Sequence, residues 1–398
     1  MGNIFIEPGS ILFMDFSLST EQTLIRDEVR RFAEAEMAPV SQEHDRNETY
    51  PYDVMKKAAD MGLTGSHIPV EYGGSSHSPI DYAILVEELS AIDPGIGLCI
   101  YSAGFGADTI LAFGTDEQKE TYLPSITSGK SVMGSAISES GAGSDVTSIS
   151  TMADEDGDEW VLNGRKMWIT NGTVGDFFVV MCKTDPDDAN RYSGFSQILV
   201  EKGTDGFSAE KITGKLGIRA SDTAELIFDN ARVPKENLVG TRGAGFLQLM
   251  QFFDESRTMV SAQAVGIAQG ACEQSLAYAK ERHQFNRPIS DFQVIQHKLA
   301  DMYTLTEAAR NLTFKSAWTA THEKNRLTAL ASMAKEYSSR IAVQVTSEAI
   351  QIHGGAGYVD DFGVSKLYRD AKITQIYEGT SEIQKNIIAR ELLGKGFI

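Results

Sequence analysis

From about Leu18 to Lys130 the apolar residues recur at helical spacing, as Leu24 and Phe32 do, and the pattern predicts a helical segment. Ser19 or Thr20 is placed to cap its first helix, and Pro39 marks a break. Ile84, Leu85, Glu88 and Leu89 belong to a further helix that stops before Asp93-Pro94-Gly95. From about Gly134 to Gly245 the texture changes. Trp160-Val161-Leu162, Phe177 to Met181 and Gln197 to Val200 are short, β-rich runs parted by Gly, Asp and Asn. Asn163-Gly164 lies between two such runs and reads as a tight hairpin turn. After Gly245 long helices return, with Phe253, Arg257, Val260, Ala264, Ile267 and Ala271 at three-to-four spacing, like Ile295, Leu299 and Met302. The last helix reads from a Ser381/Gln384 capping box, through the pairs Ile383/Ile387 and Ile388/Leu392, to Gly394.

The order is therefore helical, β-rich, helical, without the βαβ alternation of a doubly wound sheet. This predicts an α+β multidomain chain with segments 14–133, 134–246 and 247–398. Residues 1–13 read as an extension or tag, because the periodic pattern opens at Met14. The 398 residues allow two or three domains with a large core.

Charge and cysteine content narrow the functional classes. The net charge is −19 and no lysine- or arginine-rich run occurs, which disfavours a nucleic-acid binder. The acidity serves solubility or, alternatively, the choice of a basic protein partner. Cys99, Cys182 and Cys272 are far apart and form no CxxC pair, so neither a disulfide framework nor a metal site is expected. A reducing, cytoplasmic compartment is the simpler expectation. No apolar stretch approaches the ~18 residues of a membrane span. The first residues also lack the features of a signal peptide.

Five segments stand out as chemistry: AISESGAGSD (136–145), KMWITNG (166–172), ERHQFNRPI (281–289), QIHGGAGY (351–358) and IYEGTSEIQ (376–384). In the first, Gly141 and Gly143 bare backbone N–H groups beside Ser138, Glu139, Ser144 and Asp145, a ligand cradle or a plain polar turn. In the second, Trp168 and Thr170 alternate on one strand face. They can pack a flat ring and donate a hydrogen bond to it, although core packing is the commoner task of a tryptophan. In the last, Glu378 sits between Tyr377 and Gly379, three residues before a helix. Desolvation there raises a carboxylate toward the range of a general base.

Together these segments resemble the flavin-dependent acyl-CoA dehydrogenases, in order and spacing, from Met14 to the C-terminus. SESGAGSD and RDAKITQIYEGTSEIQ match two family signatures, and WITNG accompanies them. The resemblance implies an N-terminal helical domain, a middle β-barrel-like domain and a C-terminal four-helix bundle, with FAD between the last two and a homotetrameric assembly. It implies that Ile137 and Ser138 touch the flavin, that Trp168 covers its ring and that Thr170 bonds near N5. Ser144, shared with the flavin site, lies nearer the substrate. Arg282, Phe285, Gln351 and Gly355 match positions reaching FAD of a neighbouring subunit, and Thr380 matches another flavin contact. Arg257, Tyr377 and Gly379 fall on the substrate side. Glu378 matches the usual base, which takes the α-proton of an acyl-CoA thioester while the β-hydrogen leaves as hydride to flavin N5. Some members place the glutamate at the position of Ser256 instead; Glu255 lies one residue early, about 100° around the helix. Electron-transferring flavoprotein is the acceptor that the family implies. An acyl-CoA oxidase and a non-catalytic scaffold are the rival readings.

The acyl group is less legible. No Lys or Arg occurs from Ala58 to Gln118, which disfavours a dicarboxylic chain. Tyr101 beside Ser102, Ala103 and Gly104 fits a short, branched or cyclic acyl group, or ordinary packing. Dehydrogenation of an alicyclic acyl-CoA, with Asp93 or Asp108 as a second acid, is a further alternative.

Overall fold

The computed structural model describes residues 17–186 and 190–394. The expected extension 1–13 and Met14 lie outside the described residues. Helix α1 (Thr20–Phe32) opens on Ser19, whose hydroxyl accepts from Gln22 N while the Gln22 side chain bonds back to Ser19 N. A π turn and a 3-10 turn carry the chain past Pro39 into α2 (Ser41–Asn47) and α3 (Tyr52–Asp60). Helix α4 (Pro79–Ile92) is buried around most of its circumference. Asp93 ends it and caps α5 (Pro94–Tyr101), accepting from Gly95 N at 2.8 Å and Ile96 N at 2.9 Å. Helices α6 (Ala107–Phe113) and α7 (Asp116–Thr127) complete the first layer.

The middle segment is an eight-stranded sheet: β1 (Met133–Ala136), β2 (Met152–Asp156), β3 (Glu159–Thr170), β4 (Phe177–Lys183), β5 (Phe195–Glu201), β6 (Phe207–Lys211), β7 (Thr223–Pro234) and β8 (Leu238–Val239). Its order is β6-β7-β3-β2-β4-β5-β8, with β1 parallel to β4. Strand β4 is apolar from Phe177 to Cys182 because both faces are covered. Phe178, Val180 and Cys182 enter the core between β-strands, whereas Phe177 and Val179 meet Ile110, Leu123 and Ile126 of α6 and α7.

Asn163-Gly164 is not the hairpin turn its composition suggests. The turn falls at Gly157-Asp158, where Gly157 has φ 64°. Gly164 lies inside β3 at a register shift, because a Cβ there would meet Thr151 within 3 Å. A glycine within a strand marks such a bulge as readily as a turn.

The C-terminal region consists of α8 (Gly245–Glu281), α9 (Gln293–His322), α10 (Leu327–His353), the shorter α11 (Val364–Ala371) and α12 (Ser381–Leu393). Helices α8, α9 and α10 pack on one another, and α12 lies against α10. Phe246, Leu249 and Phe252 of α8 join Ile137, Met181 and Phe195 in a cluster that fixes the helix onto the sheet. On its next turns α8 crosses α4 through Gly266 and Gly270, where Cβ atoms would lie 2.2 Å from Glu87 O and 2.1 Å from Ala91 O. Gly270→Ala should therefore destabilise the fold by about 1–3 kcal/mol, the usual effect of overpacking. A lowered thermal midpoint checks this, and an unchanged one contradicts the close crossing.

The final helix is capped differently from the sequence expectation. Thr380, not Ser381, is the N-cap, and its hydroxyl accepts from Ile383 N at 3.4 Å. The Gln384 amide turns instead to the loop before the helix, donating to the carbonyls of Glu378 at 3.0 Å and Gly379 at 2.9 Å. Two partly buried carbonyls thus take the amide in place of a single cap N–H.

Candidate active site

A cavity of about 1900 Å³ opens between the sheet, α8, the N-terminal helices and the loop before α12. Glu378 enters it from that loop. Its backbone is left-handed at φ 53°, followed by Gly379 at φ 88°. A non-glycine residue in this region is held there by its surroundings. Gln384 grips both carbonyls from one side, and the buried Lys335 of α10 donates to Gly379 O at 2.6 Å from another. The Glu378 carboxylate accepts from Ser256 Oγ at 2.6 Å. Burial pushes its pKa up, against the lowering influence of Ser256, Arg257 and Lys335. Burial likewise pulls Lys335 down to about 8, with Glu378 opposing. A carboxyl whose pKa is raised by desolvation, with a hydroxyl donor to hold its anion, suits proton abstraction.

The segment 136–145 is fixed from below. Although burial opposes it, Lys166 at 2.9 Å and the Ser150 and Thr151 donors hold the Glu139 carboxyl down to about 2. Glu139 is thereby an anchor of the loop. Met167 N donates to Ser138 O at 2.8 Å and ties this loop to β3. At the second register shift of β3, Trp168 takes φ 67° and is 62% exposed, so the expected alternation with Thr170 is broken. Both side chains nevertheless line the cavity, since the bulge turns Trp168 out of the sheet and into it.

Ile137, Ser138, Ser144, Trp168, Thr170, Arg257, Tyr377, Glu378, Gly379 and Thr380 all line this one cavity. Arg257 is buried against Asp254 at 2.8 Å. The Tyr377 hydroxyl donates to Gln263. Arg282, Phe285, Gln351 and Gly355 lie elsewhere, exposed at the ends of α8 and α10, with Phe285 87% exposed. A single chain does not bring these four to Glu378.

Of the two nominated acids, Asp93 is fully buried and bonded to Ser41, Gly95, Ile96 and Lys366, which makes it a structural cap. Asp108 does face the cavity, 3.3 Å from His67 Nε2. Ser256, Lys335, Gln384 and His67 were not recognised in the sequence as site residues. For Lys335 one signal existed, a lone cation in the otherwise apolar run ALASMAK.

Three sequence matches cover nearly the whole described chain: the Acyl-CoA dehydrogenase N-terminal domain at residues 19–130, the middle domain at 134–231 and the C-terminal domain at 243–393. The chain belongs to the acyl-CoA dehydrogenase family. It is 42% identical over 381 residues to the probable acyl-CoA dehydrogenase YngJ of Bacillus subtilis, covering 96% of this chain and all of that one. It is 44% identical to acryloyl-CoA reductase (NADH) of Anaerotignum propionicum, over 96% of each. Butyryl-CoA dehydrogenase from Megasphaera elsdenii superposes with a TM-score of 0.91 at 38% identity, over 96% of this chain and 100% of that one. A chain from the structure of the electron transferring flavoprotein of Acidaminococcus fermentans gives 0.92 at 41%, with the same coverage. As an acyl-CoA dehydrogenase this chain is an oxidoreductase acting on CH–CH bonds, in a family of flavoproteins. No helix among the described residues is long and apolar enough to cross a membrane.

Proposed function

We propose that the protein oxidises an acyl-CoA thioester to its 2-enoyl-CoA, with Glu378 as base and FAD as cofactor. The observation that carries this reading is the strained, clamped Glu378, whose carboxylate is aimed into a cavity that also presents Trp168 and Thr170. The cavity residues fit a flavin. Trp168 offers an uncovered ring face, Ser138 and Thr170 offer hydroxyls, and a Cβ at Gly143 would meet nothing within 4 Å. FAD, when bound, supplies the hydride acceptor that takes the β-hydrogen with both electrons.

Within the chain itself, Glu378 takes the α-proton and becomes a neutral acid. Its own backbone N–H and the buried Arg257 polarise the thioester side. Ser256 keeps the carboxylate oriented before the transfer. The acryloyl-CoA reductase relative favours a short acyl group, as butyryl-CoA dehydrogenase does. The Acidaminococcus structure supports an electron-transferring flavoprotein as acceptor, and the exposed Phe285 suits burial in a homotetramer.

Anaerobic bleaching of the bound flavin by straight, branched, cyclic and dicarboxylic acyl-CoAs tests the reading. Short or cyclic monocarboxylic chains should bleach it; a colourless protein, or one that no acyl-CoA bleaches, contradicts it. The acid side of the profile is also predicted. Glu378 acts only when ionised, so activity is lost as pH falls through its raised pKa. Ser256→Ala removes a lowering influence and should move that limb to higher pH. A limb that stays or moves down refutes the hydrogen bond as a tuning contact.

A further inference from the structure

One wall of the cavity is polar in a way that the abstraction of a proton does not use. His67, in the loop after α3, and Asp108 of α6 form an ion pair at 3.3 Å, and both line the cavity. His67 Nδ1 has no hydrogen-bond partner, and Nε2 meets Asp108 without full hydrogen-bond geometry. Glu255 of α8 opens into the same cavity, and no hydrogen bond or ion pair holds it among the described residues. Burial and Asp108 push its pKa up to about 7. Tyr101, 8% exposed, adds a hydroxyl that faces Tyr377 without hydrogen-bond geometry. A plain hydrocarbon chain covering this wall would bury several polar groups with nothing to bond, at a large desolvation cost.

Resting on the dehydrogenase reading above, we propose that His67, Asp108 and Glu255 form a specificity site for an acyl group bearing a hydroxyl beyond the β-carbon. A hydroxyl both donates and accepts. It matches a wall with an imidazole N–H and carboxylate oxygens side by side. A terminal carboxylate would meet Asp108 and Glu255, and the charge of His67 is already paired. An ammonium group donates but cannot accept, so it would leave the His67 N–H without a partner. The location fits a short chain or ring. Glu255 is the helix neighbour of Ser256, about 1.5 Å along the axis, and Ser256 holds the base. In the proposed pose the hydroxyl lies past the β-carbon, in the cavity that this wall shares with Glu378.

The test compares paired substrates on the FAD-loaded enzyme: 6-hydroxyhexanoyl-CoA with hexanoyl-CoA, and 4-hydroxycyclohexanecarbonyl-CoA with cyclohexanecarbonyl-CoA. The hydroxylated member should have at least a 10-fold higher kcat/KM, the discrimination that unpaired polar groups impose on an analogue lacking its hydroxyl. Asp108→Asn and Glu255→Gln should each lower that ratio severalfold. Calorimetry with the corresponding enoyl-CoA products should show the same preference in Kd without turnover. A preference for the plain, carboxylated or aminated chain, or a ratio that neither variant moves, overturns the site. If plain acyl-CoAs still bleach the flavin, the dehydrogenase reading survives that failure. If no acyl-CoA bleaches it and no product binds, the dehydrogenase reading is what fails.

Discussion

Glu378→Gln should leave the protein yellow and folded yet slow flavin reduction by acyl-CoA about 10²–10⁴-fold, the usual worth of a general base. The amide keeps the shape of the side chain and still accepts from Ser256, so cavity and clamps persist. What disappears is the lone pair able to take a proton at neutral pH. Stopped-flow absorbance under anaerobic conditions reads the effect. Reduction at the wild-type rate would transfer the role to another cavity carboxylate, such as Glu255 of α8, whose pKa is also raised.

The second large effect belongs to Lys335. Its ammonium is fully buried, and its contact with Gly379 O holds the loop that carries the base. Lys335→Met keeps the volume but releases that carbonyl and removes a positive charge beside Glu378. Misplacing a catalytic group by about 1 Å can cost 10²-fold, so kcat should fall by about that factor while KM changes little. The acid limb should also move to higher pH, since the loss of a cation raises a carboxyl pKa. A purely structural lysine would lower thermal stability and leave the limb in place. The pH profile distinguishes the two.

The three-part order of the fold was legible because hydrophobic period is a local property: 3–4 spacing in α4 and α8, continuous apolar runs in β4 and β5. The base was legible through its loop, where Glu378-Gly379 precedes a helix. What failed depended on distant partners. Asn163-Gly164 has the composition of a turn, but Thr151 from a neighbouring strand decides that it is a bulge. Ser381 and Gln384 have the spacing of a capping box, but the Glu378 and Gly379 carbonyls claim the glutamine. Lys335 lies 44 residues from the carbonyl it holds, and His67 meets Asp108 from another element. Such pairings are set by the packing of α10 on α12 and of the α3–α4 loop on α6. No local pattern encodes them.

The most direct test follows the proton. A redox-inert 3-thiaacyl-CoA bound to the enzyme in D2O carries an α-hydrogen that only a base in the cavity can exchange. Mass spectrometry of the recovered thioester should show rapid α-deuteration with the wild-type protein and none above background with Glu378→Gln. Equal deuteration by both would remove Glu378 from the reaction.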